Sequence, residues 1–194
     1  TMKKKLMVTF ILVLAIASMM GVGAYAAPYE LVNNPAAVLP QIDVGSTSWV
    51  WAVGGGDVLT VKADFPGKTI TVNSGATVVI DPSLTITGTI NLTTGATLDV
   101  GSGATVNSIV GAGGDVNVNG GSVTISSTID NLNVNSGSAT INTGANVSAL
   151  NNKSGANTTM NDGTVVTVTN DGTMTVGGGT ITGTVANNST GDLT

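Results

Sequence analysis

Residues 70 to 80 read Ile-Thr-Val-Asn-Ser-Gly-Ala-Thr-Val-Val-Ile, and residues 90 to 100 repeat the pattern as Ile-Asn-Leu-Thr-Thr-Gly-Ala-Thr-Leu-Asp-Val. Each stretch is two short runs, Ile70-x-Val72 with Val78-x-Ile80 and Ile90-x-Leu92 with Leu98-x-Val100, hinged on Gly75-Ala76 or Gly95-Ala96. In an extended chain successive side chains point to opposite faces. Aliphatic residues two apart therefore share a dry face, and the Thr, Asn and Ser between them face water. Glycine at the hinge supplies the positive φ that a side chain would obstruct, and Asn or Ser bonds the local backbone.

Variants follow at Val116, Val118, Gly121, Val123 and Ile125; at Leu132, Val134, Gly137, Ala139 and Ile141; and at Val166, Val168, Gly172, Met174 and Val176. The first four elements start 16 to 26 residues apart, the length of one coil of a solenoid. Outside the signal-like start the aromatics are Tyr29, Trp49, Trp51 and Phe65, so the chain beyond residue 66 is packed without a ring. A β-sandwich or β-prism fills its core with large side chains from two sheets, whereas a coil winding on itself stacks Val, Ile, Leu and Ala in narrow columns. Disordered chains are poor in β-branched apolar residues, and this chain is rich in them. The pattern predicts an all-β fold, a single-stranded parallel β-solenoid (β-helix) with an N-terminal cap. Two stretches are expected to be loops or weak coils: Gly111 to Gly114, and Asn151 to Asn161, whose apolar positions are Ala156 and Met160.

The first 26 residues have the form of a secretory signal: Lys3, Lys4 and Lys5, an apolar run from Leu6 to Met20, and small residues ending in Ala24-Tyr25-Ala26. Cleavage is expected after Ala26, and the run is shorter than the roughly 20 apolar residues of a membrane span. No later stretch is long and apolar enough for an integral membrane segment. Residues 27–66 carry four prolines and every later aromatic, and are expected to form a lead-in and cap. Residues 67–194 are expected to form the solenoid. Trp49 and Trp51, two apart on a strand, would share one face and plug the open end; exposed, the same rings would stack on a sugar. Thr1 ahead of Met2, and a repeat still running at Asp192, Leu193 and Thr194, are expected of a piece of a longer reading frame truncated at its C-terminus.

The alternating strands Ile70 to Ile80 and Ile90 to Val100, with their Asn-Ser-Gly-Ala and Thr-Thr-Gly-Ala turns behind a signal-like segment, resemble β-solenoid repeat regions of bacterial secreted surface proteins, adhesin-like or autotransporter-passenger-like. The likeness covers roughly residues 67 to 185. It implies a structural or adhesin role at the cell surface or in extracellular matrix, with cell-surface glycans, matrix or further copies of the chain, end to end or side by side, as candidate partners. No LPxTG sorting sequence, membrane-barrel domain or cell-wall-binding repeat accompanies it.

Composition narrows the chemistry. The chain has no His, Cys or Arg, which removes the usual ligands of zinc and copper, the usual base of a Ser or Cys hydrolase, and any disulfide. Without the signal, Lys62, Lys68 and Lys153 stand against eleven acidic groups, a net charge of −8 that disfavours nucleic acid. Asp81, Asp99, Asp115, Asp130, Asp162 and Asp171 stand singly in turn-like contexts. Polysaccharide binding or cleavage by a β-helix would need such carboxylates brought together in space. Gly111-Ala112-Gly113-Gly114-Asp115-Val116 lacks the spacing of a calcium-binding nonapeptide. No catalytic, cofactor-binding or metal residue is therefore expected. Thr69-x-Thr71, Thr85-x-Thr87, Thr167-x-Thr169, Thr173-x-Thr175 and Thr180-x-Thr182 have the local form of an ice- or crystal-surface-binding face, at irregular spacing.

Overall fold

A computed structural model describes residues 29–32, 58–62, 64–67 and 69–194, the first of these stretches for its backbone alone. The signal-like segment, its cleavage site, Trp49 and Trp51 lie outside the described residues. The described chain is all-β, in order β1 (Tyr29–Val32), β2 (Val58–Val61), β3 (Thr69–Val72), β4 (Thr77–Ile80), β5 (Thr85–Leu92), β6 (Thr97–Val100), β7 (Thr105–Gly111) and β8 (Asp115–Ile125). There follow β9 (Thr128–Ile141), β10 (Asn146–Asn152), β11 (Ala156–Met160), β12 (Thr164–Asn170), β13 (Thr173–Val176), β14 (Thr180–Ile181), β15 (Val185–Asn187) and β16 (Asp192–Leu193). Among the described residues no helix is long and apolar enough to cross a membrane.

Beyond β1 every pairing is parallel, and the strands wind into a β-solenoid of about seven turns. Each coil visits three tracks. The first holds β3, the end of β5 and the end of β7, and later the starts of β9, β10 and β12 and then β14. The second holds β2, β4, β6, the start of β8, residues 131–134 of β9, the ends of β10 and β12, and β15. The third holds the starts of β5 and β7, the ends of β8 and β9, then β11, β13 and β16. The parallel stack thus already includes Val58–Val61, inside the stretch read as lead-in, and β1 lies antiparallel along its first strand.

Inward residues are alternate positions of every track, and from Leu59 to Met174 they form one continuous hydrophobic cluster. Ile80, Ile90, Leu98, Ile125, Leu132 and Ile141 are wholly removed from water. Each such side chain contributes about 1.5–3 kcal/mol of transfer free energy. Ile70 pairs with Ile90, and Val116 with Leu132, all within this interior. The two pairs nevertheless lie on different tracks, because Val116 sits on Leu98 rather than on Ile90.

The reason is that one corner device serves several edges. At Asn73–Ala76, Thr93–Ala96, Gly101–Ala104, Asn142–Ala145 and Lys153–Ala156 the fourth residue's N–H donates to the first residue's carbonyl. The third residue is a glycine at φ between 70° and 84°, and the alanine turns inward, buried. The device joins the first track to the second early on (73–76, 93–96) and later closes other edges (101–104, 142–145, 153–156). Equal-looking motifs in the sequence therefore mark different edges of the coil.

Two expected weak stretches are structured. Asn151 to Asn161 contains the end of β10, a corner and β11, because its inward polar residues bond one another instead of facing water. At Gly111 to Gly114, Ala112 bridges to Thr128 and Gly113 and Gly114 are buried, so the stretch is a tight bend inside the coil. Val166, read from the sequence as inward, is 39% exposed; Val165 and Val168 are the buried pair, and Val166 turns the corner between them.

Candidate functional site

Three polar assemblies emerge when the outward and corner residues are followed from coil to coil. The first lies inside. The inward column that runs Val61, Ile80, Val100, Val118 and Val134 continues as Asn152, Asn170 and Asn187. Asn152 and Asn170 are fully buried. Asn152 Nδ2 donates to Asn170 Oδ1 at 2.7 Å and to the Thr173 carbonyl at 2.9 Å, and Asn152 Oδ1 accepts from the buried Thr158 hydroxyl at 3.0 Å. Asn170 Nδ2 repeats the arrangement on Asn187 Oδ1 and the Asp192 carbonyl. A buried amide is tolerated when its donors and acceptors are matched, and here one side chain per coil does the matching.

The second assembly is the outward face of the second track. Asn117 Nδ2 donates to Asp99 Oδ1 at 2.6 Å, Asn133 to Asn117 at 2.9 Å and Asn151 to Asn133 at 2.8 Å; in the neighbouring column Asn131 donates to Asp115 at 2.7 Å. An ionised carboxylate only accepts, so Asp99 fixes the direction of the whole row above it. The remaining aspartates singled out in the sequence are dispersed. Asp130 accepts from Gly114 N–H, Asp162 from Gly163 N–H and the Thr143 hydroxyl, and Asp171 from Asn188 Nδ2; Asp81 stands at a corner. The fold does not bring them together: the described residues contain no group of three His, Cys, Asp or Glu able to hold a metal ion.

The third assembly is the outward face of the third track. In register down consecutive coils lie Thr124, Thr140, Thr159 and Thr175, and the Thr175 hydroxyl meets that of Thr194 at 3.3 Å. Two residues earlier on each strand runs a second column, Ser122, Ser138, Asn157, Thr173 and Asp192. The Ser138 hydroxyl donates to that of Ser122 at 3.1 Å. Of the Thr-x-Thr pairs picked out in the sequence, Thr173-x-Thr175 belongs to this array and Thr85-x-Thr87 lies on the same track, Thr85 stacking through Thr105 on Ser122; Thr69-x-Thr71 and Thr180 lie on the first track and Thr167-x-Thr169 on the second. The array itself was hidden because its rows begin with Ser or Asn and recur at steps of 16 and 19 residues. Accepting Ser or Asn ahead of x-Thr would have revealed it.

One further site was missed. Asp64 receives hydrogen bonds from Phe65 N–H (2.8 Å), Thr87 N–H (2.7 Å), the Thr87 hydroxyl (2.6 Å) and Gly88 N–H (3.4 Å). Partial burial opposes its ionisation, but these donors outweigh it and hold the carboxyl below its ordinary value of 3.8. The latch seats the buried Phe65 ring against Gly88, where any Cβ would run into the ring. Phe65 is thus a described aromatic occupying the first coil's interior. Asp162 is held low by the Gly163 N–H and then the Thr143 hydroxyl, at a fully exposed corner.

Comparison of the chain with models of protein families, with curated proteins and with solved structures found no match.

Proposed function

We propose that the chain is a non-enzymatic β-solenoid module, secreted and exposed at a bacterial cell surface or in extracellular matrix, where it acts as a rigid spacer or adhesin-type element. The observation that carries this reading is the unbroken interior from Leu59 to Met174, wound through about seven turns in parallel register. Each coil adds about 4.8 Å, giving a body about 34 Å long in which neighbouring coils satisfy each other's backbone. Such a body holds its ends apart at fixed distance and presents its faces without rearrangement. The signal-like start supports export, and the negative balance suits a solute kept apart from its like.

The test is expression of the chain in a bacterial host, with mass analysis of the secreted product and small-angle scattering. A product beginning at Ala27, elongated in solution and unchanged in shape by Asp99→Asn or Asp115→Asn, is expected. Release of unsaturated sugars from an acidic polysaccharide, lost on one Asp substitution, would replace this reading with a cleaving enzyme. Retention of uncleaved chain in the cytoplasm would remove the surface assignment.

A further inference from the structure

The hydroxyl-rich array on the third track keeps its register over four successive coils. Coils differ in length, yet the steps of 16 and 19 residues between successive threonines leave Thr124, Thr140, Thr159 and Thr175 in one column, because the length differences are taken up at the corners. The pairings that carry this face from Ser138 to Val176 run without a register shift, and that between Ser122–Ile125 and Ser138–Ile141 is likewise continuous. The β5–β7, β7–β8 and β8–β9 pairings slip only where they pass from one track to another. The result is a two-column lattice, one column of threonines and one of Ser122, Ser138, Asn157 and Thr173. Its spacing is about 4.8 Å from coil to coil and about 6.6 Å between columns.

Charge is the second, independent observation. The outward positions Ser122, Thr124, Ser138, Thr140, Asn157, Thr159, Thr173 and Thr175 include no ionisable group; along the same track one is met at each end, Asp64 on Thr87 in the first coil and Asp192 in the last. Strand carboxylates in the middle of the solenoid lie elsewhere, Asp99 and Asp115 on the second track and Asp130 between the first and second, while Lys153, Asp162 and Asp171 stand on the corners that border the third track.

From these we infer that the third-track face binds ice, with the paired Ser/Thr columns taking up ordered lattice water. The β-branched threonine side chain is restricted at χ1, so its hydroxyl and methyl are preset, and the coil stacking fixes them further. A hydroxyl both donates and accepts, as lattice water does. The two repeat distances are of the order of those between water oxygens on a hexagonal-ice face, so many weak contacts form at once without loss of conformational freedom. A charged group would hold its own hydration shell and break the match. Other surfaces fit less well: the face offers no ring for a sugar, no aromatic anchor for a protein and no charge for a mineral. The inference depends on the fold and is separate from the surface role proposed above.

The experiment measures uptake of the purified full chain into slowly growing ice, together with the habit of single ice crystals in its presence. The parent chain is expected to enter the ice and to facet the crystals. Thr140→Lys with Thr159→Lys, in the middle of the face, should lower uptake by about tenfold or more, since a protruding hydrated side chain lifts a rigid array off a planar partner. Thr175→Lys, nearer the open end and less demanding of the fold, should lower it in the same direction. Thr169→Lys on the second track should leave it at the parent level. Exclusion of the parent from ice, equal uptake by the face variants, or an equal loss in Thr169→Lys would each overturn the inference. Binding of the parent to a crystalline polysaccharide but not to ice would do the same. A failed ice measurement leaves the rod's dimensions and secretion untouched, so the two readings fall separately.

Discussion

Replacing Asn152 by valine tests whether the buried amide column is held by its hydrogen bonds or merely fills space. Valine already occupies the equivalent inward position one coil earlier, at Val134, so shape is not the obstacle. The substitution leaves the Thr158 hydroxyl, 1% exposed, without its acceptor and Asn170 Oδ1, fully buried, without its donor. An unsatisfied buried polar group costs about 1–3 kcal/mol, so two cost about 2–6 kcal/mol, and the added apolar burial returns about 1 kcal/mol. A net loss of about 1–5 kcal/mol is expected, a large share of the 5–15 kcal/mol typical of a folded domain. Adding Thr158→Val removes one of the orphans and should recover about 1–2 kcal/mol, although it deletes a further polar group. Thr158 lies between Ala139 and Met174 in its column, so an aliphatic side chain fits there. Urea unfolding followed by circular dichroism gives the three free energies, and amide exchange read by mass spectrometry should place the loosening in residues 146 to 187. A single-variant cost below about 1 kcal/mol, or a double variant no better than the sum of the singles, would refute the claim that matched amides hold this interior.

Two further outcomes follow from the Asp64 latch. Gly88→Ala pushes a methyl into the Phe65 ring and the Phe65 carbonyl oxygen and should cost about 1–3 kcal/mol or more in thermal unfolding, with Phe65→Leu relieving only the ring's share in the same chain; strict additivity would show that ring and glycine do not meet. Because the carboxyl of Asp64 is held below 3.8 when folded, its contribution is present at pH above the unfolded value and is lost as pH falls through the lowered one. The stability gap between the parent and Asp64→Asn should therefore be constant at neutral pH and close only in the acid range below 3.8, and a gap that closes near pH 7 would contradict the latch.

Strand alternation was legible where the inward residues are aliphatic. Ile70 to Ile80 and Ile90 to Val100 carry β3, β4, the end of β5 and β6 at the positions the apolar pairs mark. It failed at Asn152 and Thr158, since a polar residue facing inward looks like a loop residue until its partner in the next coil is known. That partner, Asn170, is 18 residues away, and no local pattern announces it. The edge that each apolar pair lines was not legible for a related reason: the glycine-alanine turn is a local device and carries no information about which edge it closes. Register between coils decides that, and register is a long-range property. The hydroxyl lattice escaped for the same cause, because Ser122, Ser138 and Asn157 acquire meaning only when stacked.

At Gly144 and Gly155 the outermost points of two corners face open space: a side-chain carbon at Gly155 would meet nothing within 4 Å, and at Gly144 its nearest neighbour would be the Ser126 carbonyl at 3.6 Å. Natural coils already vary in length without disturbing the faces between them. Foreign peptides spliced at these two points would accordingly project from two different edges of one coil, on either side of β10, while the planes between them stayed unbroken.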